Sequence, residues 1–288
     1  MTDKPLLIAG ATGYGAWPEN TLEGALGCLQ APIDGVEIDV QITADGHVVA
    51  HHDYRLAPDQ TRLDGRWLEA PGPPIKAMTL DELRRYDVGR ARPGSEPAAR
   101  HPSKTELDGV RVPTLPELLA ALNADGTRRM IYVEIKTDPR EGRDDGPAPA
   151  LIVDAVLRDL AAADYLAAAK IIAFDWQVLR LTRDRAPTVR TAHLTITTPP
   201  TRDPARRSPW NDGCDPRDHG GSDLAAIKAH GGMEWSPYYT DVTPQRMAEA
   251  RALGLLVGPW GLSAGDDIRR MAELGAYSST VSGADWGL

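Results

Sequence analysis

The chain has 288 residues, 42% apolar and 25% charged, so it can bury a full core and is not disordered. Its 32 basic against 41 acidic side chains give a net charge of −9, which argues against a general nucleic-acid binder. No apolar run approaches the ~18–20 residues of a membrane helix, the start Leu6-Leu7-Ile8-Ala9 is too short for a signal-peptide core, and Cys28 and Cys214 make no disulfide framework, so the cytoplasm is the expected setting.

The first apolar run, Leu6–Thr12, reads as a buried strand. A helix pattern follows over Asn20–Gln30, with Asn20 and Glu23 spaced as a capping box. The second strand is expected over Gly35–Thr43. After it comes a Pro-, Gly- and Arg-rich insertion, 54–113, holding one short helix, Leu80–Tyr86, capped by Thr79. Helix and strand patterns then alternate: helix Thr114–Asn123, strand Arg129–Lys136, helix Ala148–Ala163, strand Lys170–Asp175, helix Trp176–Arg185 and strand Thr191–Thr197. A polar stretch without regular pattern, 198–221, leads to helix Ser222–His230 and strand Met233–Pro237. Helix Thr243–Leu253, strand Gly254–Trp260, helix Ala264–Leu274 and strand Tyr277–Ser282 complete the series. Thr243-Pro244 marks a helix start, and Gly231, Gly254 and Gly275 mark helix ends.

Eight strands alternating with helices imply parallel pairing and favour a closed (β/α)8 barrel, one domain over residues 1–288. Only Gly283–Leu288 follow the last strand, so an eighth helix is expected to be missing or vestigial. The long segments 54–113 and 198–221 both follow strands, which places them at the C-terminal mouth, where barrel active sites form. In the second of them, Arg202, Arg206 and Arg207 suit phosphate or sugar recognition, and Trp210 offers a flat stacking surface.

Period two puts Glu37 and Asp39 on one face of the second strand and Val36, Ile38 and Val40 on the other. Inward-facing carboxylates would repel unless something cationic neutralised them, and a hard divalent cation does so. The third strand aligns Tyr132, Glu134 and Lys136, so Glu134 could complete a three-carboxylate site and Lys136 could meet an anionic substrate oxygen or simply pair with Glu134. Of the adjacent His51 and His52, one at most enters such a site, as a general acid or base near neutral pH.

Together these pieces resemble the glycerophosphodiester phosphodiesterase family over almost the whole chain. Pro18-Glu19-Asn20-Thr21 matches its Pro-Glu-Asn-Thr, Glu37-Ile38-Asp39 its Glu-x-Asp, and Thr43-Ala44-Asp45-Gly46 its Thr-x-Asp-Gly turn. His52-Asp53, Met78-Thr79-Leu80-Asp81-Glu82-Leu83, Pro113-Thr114-Leu115-Pro116-Glu117 and Glu134-Ile135-Lys136 follow in the family order. The resemblance implies a TIM barrel and a Mg²⁺- or Ca²⁺-dependent phosphodiester hydrolase of lipid-derived glycerophosphodiesters. A threonine in place of the family arginine, together with the Arg-rich segment 198–221, leaves room for a bulkier group, such as a sugar phosphodiester. Glu37, Asp39 and Glu134 would hold the metal. His52, Lys136 and the residue at position 11 would be catalytic; Thr12, Lys136 and Trp260 would join the loop residues in binding a small-molecule phosphodiester, with no nucleic acid or membrane as partner.

The chain departs from the family at three places. The His-Arg-Gly of the first strand falls on Ala11-Thr12-Gly13, so a catalytic histidine is replaced by alanine and a phosphate-binding arginine by threonine, implying impaired turnover. Trp260-Gly261 stands for Trp-Thr, and Val281-Ser282-Gly283-Ala284 for Thr-Asp-x-Pro. A catalytically dead barrel that binds a phosphodiester is one alternative. A nicotinamide-dependent oxidoreductase is another, because Gly10-Ala11-Thr12-Gly13-Tyr14-Gly15 imitates a dinucleotide-binding loop and Tyr132 with Lys136 a dehydrogenase pair. Against it, Pro18 and Asn20 place the helix start too late for such a loop.

Overall fold

Parallel strands close on one another in the computed structural model, which describes residues 4–124, 126–140, 144–197 and 208–283. The strands in chain order are β1 (Leu6–Ala9), β2 (Gly35–Ile42), β3 (Val48–Ala50), β4 (Arg62–Leu63), β5 (Arg66–Trp67), β6 (Tyr86–Asp87) and β7 (Met130–Ile135). They continue as β8 (Ala169–Ala173), β9 (Arg190–Thr195), β10 (Glu234–Pro237), β11 (Leu256–Val257), β12 (Trp260–Leu262) and β13 (Ser278–Val281). The helices are α1 (Leu22–Cys28), α2 (Leu80–Leu83), α3 (Glu96–Arg100), α4 (Leu115–Leu122) and α5 (Pro149–Ala162). After them come α6 (Trp176–Arg185), α7 (Asp223–Ala229), α8 (Pro244–Ala252) and α9 (Gly265–Leu274).

Neighbours run β11-β10-β9-β8-β7-β2-β1-β13-β12, all parallel, which is the (β/α)8 barrel expected from the alternation. The ring closes through one interrupted strand. β11 pairs with β10 and β12 with β13, and only Gly258-Pro259 separates the two pieces. The expected strand Gly254–Trp260 is therefore two short strands, because proline has no N–H to donate to a ladder.

Val36, Ile38 and Val40 are fully buried in the layer between sheet and helices. Burying each contributes roughly 1.5–3 kcal/mol, so a one-residue slip of β2 is heavily disfavoured and Glu37 and Asp39 are fixed on the barrel interior. The interior itself is packed by Ile8, Tyr132, Ile172, Phe174, Leu194 and Trp210. At its N-terminal end Lys170 Nζ meets Glu234 at 2.7 Å and lies 3.9 Å from the centre of the Tyr132 ring.

The insertion is more structured than its composition suggests. It holds the antiparallel sheet β5-β4-β6, α2 and α3, over a small core of Leu56, Ile75, Met78, Leu83 and Val112 that joins Val49 of β3. Thr79 and Thr114 cap their helices in reciprocal boxes with Glu82 and Glu117. The expected cap at Asn20 is instead Thr21, whose side chain accepts the Gly24 amide, because the Asn20 amide is occupied elsewhere. Among the described residues no helix is long and apolar enough to cross a membrane.

Candidate active site

Pairing of β2 with β7 sets Asp39 directly beside Glu134, and Glu37 lies one inward position back, beside Tyr132. The three carboxylates offer oxygens within 4.8 Å of one another, all buried. Lys136 Nζ sits between two of them, 2.8 Å from Asp39 Oδ1 and 2.5 Å from Glu134 Oε1. Asn20 holds Asp39 from the other side: its Nδ2 donates to Oδ2 at 2.8 Å, and its Oδ1 accepts the Asp39 amide at 2.9 Å.

Burial opposes ionisation of Asp39, but the Lys136 charge, His52 and the hydrogen bonds from Lys136 and Asn20 outweigh it and hold the carboxyl down at about 2. Glu37 goes the other way. Burial, then the charges of Asp39 and Glu134, push it well above the usual glutamate range, and the Ala11 amide and Lys136 offset only part of that. Its Oε2 accepts the Ala11 N–H at 2.8 Å, while its buried Oε1 has no hydrogen-bond partner. An orphaned carboxylate oxygen facing two others fits a hard divalent cation with oxygen ligands.

The first strand stops at Ala9, two residues before the alanine of interest. Ala11 and Thr12 follow in a tight turn with φ of +45° and +56°, a left-handed conformation costing about 1–2 kcal/mol per non-glycine residue. The turn is pinned by Asn20 N–H donating to Ala11 O at 2.9 Å and by Thr21 N–H donating to Thr12 Oγ1 at 3.3 Å. Strain stored beside a buried acidic cluster is typical of a functional site. This glycine-rich stretch forms a single 3₁₀ turn at Gly10–Thr12 and opens no α-helix, since α1 begins only at Leu22, and that removes the basis of the dinucleotide-loop reading.

A cavity of about 430 Å³ opens over the acids, lined by Ala11, Glu37, Asp39, Glu134, His52 and Trp260 among others. His52 is half exposed on the rim, its Nδ1 2.7 Å from Asp53 Oδ1. The Lys136 charge and burial oppose its protonation, yet Asp39 and Asp53 prevail and its pKa is raised. His51 turns away: its amide donates to Asp39 O at 3.0 Å, and only His52 reaches the cavity.

Several expected site residues are placed differently. Lys136 does not line the main cavity; its ammonium is engaged by Asp39 and Glu134, so the internal ion pair is the arrangement observed. Thr12 is fully buried, its hydroxyl engaged with the Thr21 amide, and it does not line the acidic cavity. Trp210 is 4% exposed and packs into the barrel interior, so it plugs the mouth beside Lys136 rather than presenting a free face. Arg202, Arg206 and Arg207 lie outside the described residues. The sequence reading missed Asn20 as the clamp on Asp39, and Tyr14, Glu19, Glu96 and Arg100 as cavity lining. Glu96 and Arg100 were legible as an i,i+4 ion pair, which the structure forms at 2.5 Å.

The sequence profile of the Glycerophosphoryl diester phosphodiesterase family matches residues 10–278. A Mycobacterium tuberculosis protein named as a probable glycerophosphodiester phosphodiesterase 1 is 33% identical over 143 residues, 49% of this chain and 46% of that protein, so the match spans about half the length of that relative. A glycerophosphodiester phosphodiesterase of Caldanaerobacter subterraneus is 24% identical over 94% of this chain and 91% of its own. Among solved structures, a Silicibacter pomeroyi protein named for the glycerophosphoryl diester phosphodiesterases superposes with a TM-score of 0.85 at 33% identity, over 99% of this chain and 92% of that one. An Oleispira antarctica phosphodiesterase in complex with its product sn-glycerol-3-phosphate has the same fold, with a TM-score of 0.69 at 18% identity over 97% of this chain and 93% of that one.

Proposed function

The chain belongs to the glycerophosphoryl diester phosphodiesterase family, a family of phosphoric diester hydrolases, and on that premise we propose that it cleaves a glycerophosphodiester or related sugar phosphodiester to a phosphomonoester and an alcohol. The observation that carries this reading is the buried triad Glu37, Asp39 and Glu134. With all three ionised, which for the raised Glu37 a cation would favour, three carboxylates and one ammonium leave a surplus of two negative charges, matching a divalent cation such as Mg²⁺ or Ca²⁺. Bound there, the cation supplies the positive charge that draws a phosphodiester anion into an acidic cavity and stabilises charge on its oxygens.

The chain's own residues do the rest. Asn20 and Lys136 hold Asp39 and Glu134 in place; Lys136 is thereby a positioning residue for the triad. His52 is the proton carrier. Asp53 engages Nδ1 and leaves Nε2 as the ring nitrogen for substrate, and the raised pKa suits proton delivery to a departing alkoxide near neutral pH. At position 11 the methyl group carries no proton, so one of the two carriers expected from the family resemblance is missing and turnover is slow.

The test is hydrolysis of a panel of phosphodiesters with Mg²⁺ or Ca²⁺, on this chain and on Ala11→His. Slow turnover that the variant accelerates supports the scheme. Diester binding without turnover in either protein would instead make this a binding barrel, and no binding of any diester would reject the reading.

A further inference from the structure

We propose that a second compartment beside the acidic cavity holds the leaving alcohol and selects an uncharged cyclic polyol, a hexose or cyclitol ring, over a cationic alcohol such as choline. The inference rests on the diester-hydrolase reading and narrows it. The compartment has a volume of about 710 Å³ and joins the acidic cavity along Tyr14, Arg100, Trp260 and Ser282, which line both. A diester whose phosphoryl group sits over the triad can therefore extend its other arm into it.

Charge separates the two compartments. Six carboxylate side chains line the first, whereas among the described residues none lines the second; Arg100, shared by both, and His101 are its ionisable groups. A cationic headgroup there would find no wall carboxylate to pair with, since Glu96, on the adjoining cavity, is already engaged by Arg100. Nor is Tyr14 free to form an aromatic cage, since the Lys104 ammonium already lies 4.7 Å from its ring centre.

Shape favours a ring. Tyr238 and Trp260 stand 4.9 Å apart at 61°, forming an open aromatic corner. The corner depends on Gly261, whose φ is +81°: a Cβ there would come within 2.4 Å of Tyr238 Cε2. Any side chain at 261 would displace the tyrosine ring. Aromatic faces pack against the C–H surface of a polyol ring, while hydroxyls answer the polar groups at its edge. Trp260 Nε1 is buried without an acceptor, and Ser263 and Ser282 line the same wall. A hydroxylated ring offers hydrogen-bond partners to those serines on the lining; a trimethylammonium group offers none.

The experiment measures kcat/KM, in Mg²⁺ and in Ca²⁺, for glycerophospho-myo-inositol, glycerophosphoglucose, glycerophosphocholine and glycerophosphomethanol. Calorimetric binding of each is read on the same protein. The two ring diesters are expected to exceed the choline diester at least tenfold, and their ratio to each other tells a cyclitol from a hexose. Tyr238→Ala, and Tyr238→Leu as the variant that keeps apolar volume, should shrink the ring preference roughly tenfold through KM rather than kcat. Equal or reversed preference, or a preference that survives both variants, overturns the subsite. Hydrolysis of glycerophosphomethanol without ring preference rejects the compartment alone. Absence of both turnover and binding for every diester rejects it together with the reading on which it rests.

Discussion

Among the described residues the barrel interior holds two buried lysine–carboxylate clusters, one at each end, and their arithmetic differs. At the N-terminal end Lys170 faces Glu234 at 2.7 Å, one cation for one anion. At the C-terminal end Lys136 faces Asp39 and Glu134, with Glu37 close by, one cation for three carboxylates. Residue types and depth are alike; only the stoichiometry separates them. A balanced pair is complete in itself, and desolvation leaves it little better than an apolar plug. An unbalanced one stores repulsion that a further cation would relieve, which is why it is the candidate site rather than the scaffold.

The strongest way to break that comparison is to remove each lysine. Lys170→Met should destabilise the protein by about 3–5 kcal/mol by stranding Glu234, and added Mg²⁺ or Ca²⁺ should not restore it. Lys136→Met should destabilise the metal-free protein by a similar amount, with millimolar divalent cation restoring most of the loss. Urea denaturation with and without metal reads both; identical responses would erase the distinction between the two ends. A catalytic change sharpens it next. Ala11→His should raise kcat at least a hundredfold, because one general acid or base is worth ~10²–10⁴ in rate. Position 11 tolerates histidine because its φ of +45° lies in a region where that residue is enriched. Brisk hydrolysis by the unmodified chain would show that one proton carrier suffices.

A smaller effect is expected from Asn20→Ala, which strips two hydrogen bonds from Asp39 and should cost about 1.5–3 kcal/mol, together with weakened divalent-ion binding by calorimetry. The pH profile of metal-free stability gives the finest contrast. Asp39, held down at about 2, contributes stability that is full above the ordinary aspartate value and lost as pH falls through about 2. Glu37, raised, has the opposite sign: its contribution is most favourable below the ordinary glutamate value and declines as pH rises above it. Stability should therefore sag on the alkaline side of the ordinary glutamate range. Glu37→Gln should remove that sag and, with it, the stabilisation by divalent cations. A sag that persists in Glu37→Gln assigns it to another group.

The sequence carried the strand-borne half of the site well, for a geometric reason. Period two along β2 and β7 leaves no choice of face once Val36, Ile38 and Val40 are buried, so Glu37, Asp39 and Glu134 converge by necessity. Turn-borne residues obey no such rule. Asn20 has the spacing of a helix cap but adopts φ +54°, which turns its amide onto Asp39 and passes the capping role to Thr21. Lys136 was legible in position and in one partner, Glu134, but alternation along one strand does not reveal Asp39 on the neighbouring strand as the second. Trp210 was read as a flat stacking surface at the mouth, whereas the apolar interior beside Phe174 recruits it. The insertion's sheet of two-residue strands is too short to leave any periodicity.

The interruption at Gly258-Pro259 bears on how such a molecule can change over generations. It is the stretch where the ring is joined by the shortest strands, and Trp260 and Gly261 of the second compartment lie immediately past it. Substitutions there disturb few ladder bonds, while substitutions on β2 or β7 disturb continuous ones. The proposed selectivity for one arm of a substrate is thus borne beside a short seam of the barrel, and the proposed bond-breaking chemistry on its longest parallel pairing. A lineage can drift in what it accepts while keeping what it does.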